Sequence, residues 1–303
     1  MISEITYIGS ENIRYDCEEA FNKWIRVRKT MSVGIINTAL ISIRKDPGGE
    51  SELADEDFYG RTVEITSVRN AEWYEVITEY KYRGYLLKSQ LITDYSLIDK
   101  WNQGMKMVVI QSCADVLSLP KVQGHCLLTL FRGAVVNVVS KEDENGWACV
   151  SLCDGRYGYI KSKFLGEYIT AYSNLGETHI RRELIRTAYS YLGTQYRWGG
   201  KSPLGIDCSG LTFMSYYLNG IIIYRDAAIK EGFAVREINI KDIGIGDLIY
   251  FPGHIAMYLG GGKYIHSTAR KGSDGVVINS LIKGEEDYRE DLAASIKAVG
   301  SIF

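Results

Sequence analysis

Two stretches of this chain carry the same landmarks in the same order, which limits what the middle of the molecule can be. Trp73-Tyr74-Glu75-Val76 is followed by Gly84-Tyr85-Leu86, and Trp147-Ala148-Cys149-Val150 by Gly158-Tyr159-Ile160, eleven residues from Trp to Gly in both. Upstream, Phe58-Tyr59-Gly60-Arg61-Thr62-Val63 parallels Phe131-Arg132-Gly133-Ala134-Val135-Val136 with a one-residue slip, and Asp46-Pro47 parallels Leu119-Pro120. A shift of about 74 residues therefore relates two copies of one small unit, near 35–95 and 106–168. Within each copy short runs alternate apolar and polar residues, Val63/Ile65 in one and Ala148/Val150/Leu152 in the other. Gly- and Asp-rich turns separate these runs, so they read as half-buried strands.

The chain is 303 residues long, enough for two or three domains. Its 35 Lys and Arg against 37 Asp and Glu leave a net charge of −2, which gives no reason to expect a nucleic-acid partner. No apolar run reaches the roughly 18 residues that a membrane span needs. The first thirty residues carry Glu4, Glu11, Asp16, Glu18 and Glu19, with no basic stretch leading into an apolar one. They do not read as a signal peptide, so the expectation is a cytoplasmic protein, or a secreted or periplasmic one if a leader has been trimmed. Six cysteines at irregular spacing do not make a disulfide framework. Cys149 and Cys153 lack the His or second Cys pair that zinc would require, and same-face packing accounts for them.

The repeated unit, with its Gly-Trp and Gly-Tyr-Ile landmarks, resembles the bacterial SH3-like (SH3b) barrel. The expected organisation is a helical segment over 1–34, SH3b-like barrels over 35–98 and 99–172, and a third domain over 173–303. In the first segment Ile13, Cys17, Ala20, Phe21, Trp24 and Val27 recur at helical spacing. Residues 173–178 read as a linker, followed by a helix from His179 to about Leu192. A second helix is expected from Asp207 to Leu218 and a short one from Arg225 to Glu231. Strands follow at Leu248–Phe251, Ile255–Leu259, Tyr264–Ser267, Val276–Asn279 and Ile296–Ile302. Helices followed by an antiparallel sheet indicate an α+β fold.

Candidate chemistry is concentrated in this third domain. Cys208, in Asp207-Cys208-Ser209-Gly210-Leu211, enters its helix at the first turn, where the macrodipole and free N–H groups favour thiolate over thiol. The small neighbours Ser209 and Gly210 leave the sulfur approachable, although a cysteine here is also compatible with plain burial in the core. His254 begins a strand after Gly246-Asp247-Leu248, and His266 follows twelve residues later. If residues 260–262 turn the chain between them, the two imidazoles meet. His254 is then placed to take the thiol proton, and His266 to fix its tautomer.

Gly193-x-x-Tyr196-x-Trp198-Gly199-Gly200, the Asp207–Leu211 motif, Gly246-Asp247-Leu248 and the two histidines together resemble the NlpC/P60 family of papain-like cysteine peptidases, over about residues 178–303. With the barrels in front, the chain is similar to bacterial γ-D-glutamyl-L-diamino acid endopeptidases of the dipeptidyl-peptidase VI type. That resemblance implies hydrolysis, without metal or other cofactor, of the γ-D-Glu–diamino acid bond in peptidoglycan-derived peptides with a free N-terminal L-Ala. It implies Cys208 as nucleophile, His254 as base and His266 as the orienting residue. Tyr196 and the Cys208 N–H would line the oxyanion hole, with Ser209 beside them. Asp207 and Asp226 would hold the substrate ammonium, and either is also a possible helix cap. Ala227 stands where the family usually has Ser. Tyr82 of the first barrel would supply an aromatic wall, and the acidic run Glu50–Asp57 faces either the cleft or solvent. Two other functions fit the same motifs: a peptidoglycan-binding SH3b protein, or an endolysin-like hydrolase of intact wall. Acyl transfer to lipid is disfavoured by the two carboxylates.

Overall fold

The computed structural model describes residues 32–170 and 176–303, so the helix expected over 11–30 lies outside the described residues. The first unit contains β1 (Ser32–Ile36), β2 (Leu40–Arg44), β3 (Leu53–Phe58), β4 (Thr62–Val68), β5 (Trp73–Thr78), β6 (Arg83–Leu87) and β7 (Leu91–Ile92). The second contains β8 (Met105–Val109), β9 (Cys113–Leu117), β10 (Cys126–Phe131), β11 (Val135–Ser140), β12 (Trp147–Ser151), β13 (Tyr157–Lys161) and β14 (Leu165–Glu167). Their sheets run β3-β2-β6-β5-β4-β1-β7 and β10-β9-β13-β12-β11-β8-β14. Adding seven to each strand number of the first sheet produces the second, so the sequence repeat is a repeat of topology. The Gly of each Gly-Tyr landmark has a steric cause. A Cβ at Gly84 would meet Ile43 Cγ2 at 2.3 Å, and one at Gly158 would meet Val116 Cγ1 at 2.4 Å.

Between the copies stands a helix not anticipated from sequence, α1 (Tyr95–Gln103), whose first turn is capped by Asp94 through the Ser96 and Leu97 amides. Its Trp101 is buried and donates from Nε1 to the Gly60 carbonyl at 3.2 Å, tying the helix to the first barrel. The barrels also touch directly, through Tyr59, whose hydroxyl oxygen accepts the Cys153 N–H at 2.8 Å.

The third unit opens with α2 (Glu177–Tyr189), followed by the hairpin β15 (Lys201–Ser202) and β16 (Gly205–Ile206), and then α3 (Cys208–Tyr217). The remaining elements are β17 (Arg236–Ile238), β18 (Leu248–Phe251), β19 (His254–Gly260), β20 (Lys263–Thr268), β21 (Gly275–Ser280), α4 (Glu290–Ala293) and β22 (Ala298–Ser301). They build an antiparallel sheet in the order β17-β22-β18-β19-β20-β21. The short helix expected over Arg225–Glu231 does not form, and Arg225–Ala228 is a bend instead. The cause is Arg225, whose side chain is drawn into the interior by buried carboxylates rather than lying along a helix surface.

Every residue of α3 is buried, as expected of a helix packed on all sides. One side lies on β19 and β20. The other meets the first barrel, where Tyr80 packs on Phe213 with ring centroids 4.7 Å apart. Arg61 of the first barrel ties all three units, donating to Gly133 O at 3.0 Å, Tyr168 Oη at 3.2 Å and Tyr217 Oη at 3.0 Å. One apolar core joins the second barrel, α3 and Ile35, Phe58, Tyr59 and Tyr80 of the first barrel, whose interior around Ile41, Val76 and Leu86 is a separate cluster. Among the described residues no helix is long and apolar enough to cross a membrane.

Candidate active site

The histidines are brought together by strand register. The turn between β19 and β20 is made by Gly261 and Gly262, at φ 58° and 74°, values that glycine adopts without a Cβ clash. Met257 then pairs with Ile265, which makes His254 and His266 diagonal neighbours on one face of the sheet. His254 Nε2 lies 2.7 Å from His266 Nδ1. Burial lowers both pKa values: His254 falls to about 3, with the neighbouring His266 and Arg289 adding to the effect, and His266 to about 4. Both rings are therefore neutral near pH 7, the state in which an imidazole can accept a proton.

Cys208 is the first residue of α3, as expected, but its electrostatics differ from the sequence reading. Burial pushes the thiol up to about 11, and the Asp207 carboxylate adds to the rise. Hydrogen bonds from the Ile255 and Ser209 amides and the charge of Arg225 pull the other way without overcoming it. The helix N-terminus alone favours thiolate, but here desolvation wins. Burial thus favours the neutral form of the Cys208 thiol and of the His254 imidazole alike. The Ile255 amide at the sulfur also puts Cys208 beside the residue that follows His254.

Asp207 is the N-cap of α3, accepting the Gly210 N–H at 2.5 Å. Its carboxylate also accepts from Ser209 Oγ at 3.1 Å and from Arg225 Nη1 and Nη2 at 3.2 and 3.3 Å. Arg225 Nη1 further donates to Ser209 Oγ at 2.8 Å. Asp207 therefore acts as a helix cap and shares the Arg225 guanidinium with Asp55, while also lining the cleft at Cys208. Behind Arg225 lies a cluster that charge patterning misread. Asp55, Glu56 and Asp57 belong to β3 and are buried, not solvated. Arg225 Nε donates to Asp55 Oδ1 at 2.7 Å, and Lys201 Nζ sits 3.3 Å from Asp55 Oδ2 and 3.6 Å from Asp57 Oδ1. Tyr80 donates its hydroxyl to Asp55, and Glu56 accepts from the Lys201 amide at 3.0 Å and Arg197 Nη1 at 3.2 Å.

The cleft at Cys208 is lined by Tyr196, Ser209, Asp226 and Ala227 from the third unit and by Glu52, Ala54 and Tyr82 from the first barrel. Tyr82 Oη lies 3.3 Å from Asp226 Oδ1 and equally far from the Ala54 carbonyl. The Tyr82 and Asp226 expectations therefore converge on one corner, and no cationic side chain forms an ion pair with Asp226 among the described residues. Trp198 donates from Nε1 to Glu52 at 2.9 Å, joining the opposite rim. Sequence reading missed Asp55, Lys201 and Arg225. It also missed Asn279, whose Oδ1 is 2.9 Å from His266 Nε2. A polar residue pointing inward from a strand next to the histidines was the one available signal for Asn279.

Comparison with known proteins agrees with this architecture. The model of the NlpC/P60 family matches residues 193–288, and that of the variant SH3 domain matches residues 106–168. Dipeptidyl-peptidase 6 of Lysinibacillus sphaericus is 42% identical over 271 residues, covering 89% of this chain and 99% of that protein. The gamma-D-glutamyl-L-lysine dipeptidyl-peptidase of Bacillus cereus (strain ATCC 10987 / NRS 248) is 27% identical over 235 residues, 72% of this chain and 68% of its own. In fold, an NlpC/P60 family protein from Bacillus cereus ATCC 10987, seen by crystallography, superposes with a TM-score of 0.73 at 20% identity, covering 88% of this chain and 98% of that one. A relative this similar along nearly its whole length, together with the family match over residues 193–288, leaves one conclusion: the chain belongs to the NlpC/P60 family.

Proposed function

We propose that this protein is a cysteine peptidase that cleaves the γ-D-Glu–diamino acid bond of cell-wall peptides bearing a free N-terminal L-Ala and releases L-Ala-γ-D-Glu. The observation that carries this reading is the corner formed by Tyr82 and Asp226, where a carboxylate with no cationic partner among the described residues stands against an aromatic side chain from another domain. A half-buried carboxylate in a cleft suits an ammonium, and an aromatic side chain against it would oppose a longer N-terminal extension. The names of the similar proteins, which describe dipeptidyl-peptidases, one acting at gamma-D-glutamyl-L-lysine, support the same reading.

In the reaction, His254 accepts the Cys208 proton as the sulfur bonds to the γ-carbonyl carbon of D-Glu, so thiolate forms only as it is consumed. The carbonyl oxygen takes the electron pair and becomes an oxyanion within reach of the Cys208 N–H at the start of α3. Collapse expels the amine of the diamino acid, which carries away the proton held by His254, and leaves a thioester. Water, deprotonated by His254, then attacks the thioester. Sulfur leaves, regains its proton, and the dipeptide departs as a free acid.

The test is mass spectrometry of products after incubation with L-Ala-γ-D-Glu-meso-diaminopimelate and with the L-Lys counterpart. Release of L-Ala-γ-D-Glu from at least one, absent with Cys208→Ala, is expected. Cleavage at another bond, or equal release by the variant, would overturn the reading.

A further inference from the structure

We propose that Asn279 is a positioning residue that sets the tautomers of His266 and His254, and so directs a basic nitrogen of His254 at the Cys208 thiol. The inference rests on the peptidase reading above, in which His254 is the base.

The argument runs from the far end of a hydrogen-bond chain. Asn279 Nδ2 donates to the Asp287 carbonyl at 3.0 Å. A carbonyl can only accept, so this contact fixes which end of the amide is which, and a flipped side chain would set two oxygens against each other. Asn279 Oδ1 must then face His266 Nε2, 2.9 Å away, and this nitrogen must carry the proton. His266 Nδ1 is left as a bare acceptor, so His254 Nε2, at 2.7 Å, must be the donor. With Nε2 protonated and the ring neutral, the free lone pair of His254 is on Nδ1, the nitrogen not engaged by His266. One backbone carbonyl thus determines the state of a base three side chains away.

Sheet geometry keeps the chain in line. His266 pairs with Val277, so Asn279 lies two residues along β21 on the same face. His254, His266 and Asn279 form a diagonal across β19, β20 and β21. The charged and titratable groups around His266 are His254 from β19, Tyr264 from its own strand, Arg289 at the N-cap of α4 and Asp291 within that helix. Burial disfavours a second proton on either ring, with Arg289 adding to the effect and Asp291 opposing it, so each ring carries one proton whose place the hydrogen-bond chain from Asn279 decides.

Substituting Asp for Asn279 reverses the logic. A carboxylate opposite His266 Nε2 stabilises the His266 cation, whose Nδ1–H then donates to His254. That forces the His254 proton onto Nδ1, the nitrogen the proposal requires as the base, which then cannot accept.

The experiment has two arms. In the first, histidine side-chain 15N shifts of the intact protein near pH 7 should show Nε2–H and bare Nδ1 on both rings. A wild-type His266 protonated on Nδ1 would overturn the proposal without any activity measurement. In the second, kcat and KM on L-Ala-γ-D-Glu-diamino acid peptide are followed from pH 4.5 to 9. Asn279→Ala should lower kcat by about tenfold or more while KM changes less than about twofold, since misdirected base catalysis costs rate rather than binding. Asn279→Asp should move the acidic limb of kcat/KM to higher pH by about one unit, which a merely structural residue would not do. Wild-type kcat in Asn279→Ala with an unmoved limb in Asn279→Asp, while His254→Ala is inactive, would sink the Asn279 role and leave the base assignment standing. Full activity in His254→Ala would instead remove the underlying reading.

Discussion

Arg225 donates from Nε to Asp55 Oδ1 at 2.7 Å although 170 residues separate them in the chain. One belongs to the bend beside the cleft and the other to β3 of the first barrel. The same guanidinium holds Asp207 and Ser209, the residues on either side of Cys208. The nucleophile is therefore braced through a single arginine by a domain that carries none of the reacting groups.

That brace should be visible in stability. Asp55→Ala removes one of the two carboxylate partners of Arg225 and one of those of Lys201 in a place closed to water. Breaking a buried pair from one side costs about 3–5 kcal/mol, because the stranded charge cannot rehydrate. Urea unfolding should show a loss of this size. A loss under 1 kcal/mol would mean that the remaining partners, Asp207 for Arg225 and Asp57 for Lys201, suffice for the pairing.

Alkylation should follow burial rather than the helix dipole. With the Cys208 thiol held up near 11, the exposed Cys113 and Cys126 should react first with iodoacetamide at pH 7. The Cys208 rate should climb steadily as pH rises above 9. Peptide mapping by mass spectrometry decides the order, and preferential labelling of Cys208 at pH 7 would refute the neutral-thiol state.

Acid should loosen the fold in a defined window. His254 and His266 have native pKa values near 3 and 4, below the 6.5 expected when unfolded. Between those limits the unfolded chain binds more protons than the native one, so stability is full above pH 6.5 and falls as pH drops toward 4. The melting temperature should decline across that window, and His254→Gln should flatten the decline. An unchanged slope in the variant would assign the effect to other groups.

The free N-terminus should matter through Asp226. Acetylating the substrate's L-Ala removes the ammonium and adds bulk against Tyr82, so kcat/KM should fall roughly a hundredfold. Asp226→Asn should slow cleavage of the free peptide and change the acetylated one little. Comparable values for both peptides in the wild type would indicate an open cleft.

Much of this was readable in the residues. The paired Trp and Gly-Tyr landmarks mark equivalent strands because a close crossing at Ile43 and Val116 admits only Gly. Cys208, His254 and His266 were recognisable because a helix start and a glycine turn bring them together by local rules. What escaped notice depends on distant partners. Asp55-Glu56-Asp57 looks like a solvated acidic run until Lys201, Arg197 and Arg225 arrive from the third unit. That Asp207 is also an ion-pair partner becomes visible only when Arg225 reaches it from the bend. The thiol's pKa was misjudged because the helix dipole is local and can be read from sequence, whereas burial by β19 and the barrel is not.

The buried acidic strand has a consequence for how such proteins can be recombined. Exchanging the catalytic half for that of a relative would bring in a new arginine and lysine to face an old Asp-Glu-Asp, or the reverse. A graft would keep its fold only if both halves of the ion cluster travelled together. The boundary between first barrel and catalytic domain is thus a poor crossover point for chimeras, despite lying between recognisable modules. Splices placed within the exposed tip of the β2–β3 hairpin, at Gly48 and Gly49 where a side chain would meet nothing, leave that cluster whole.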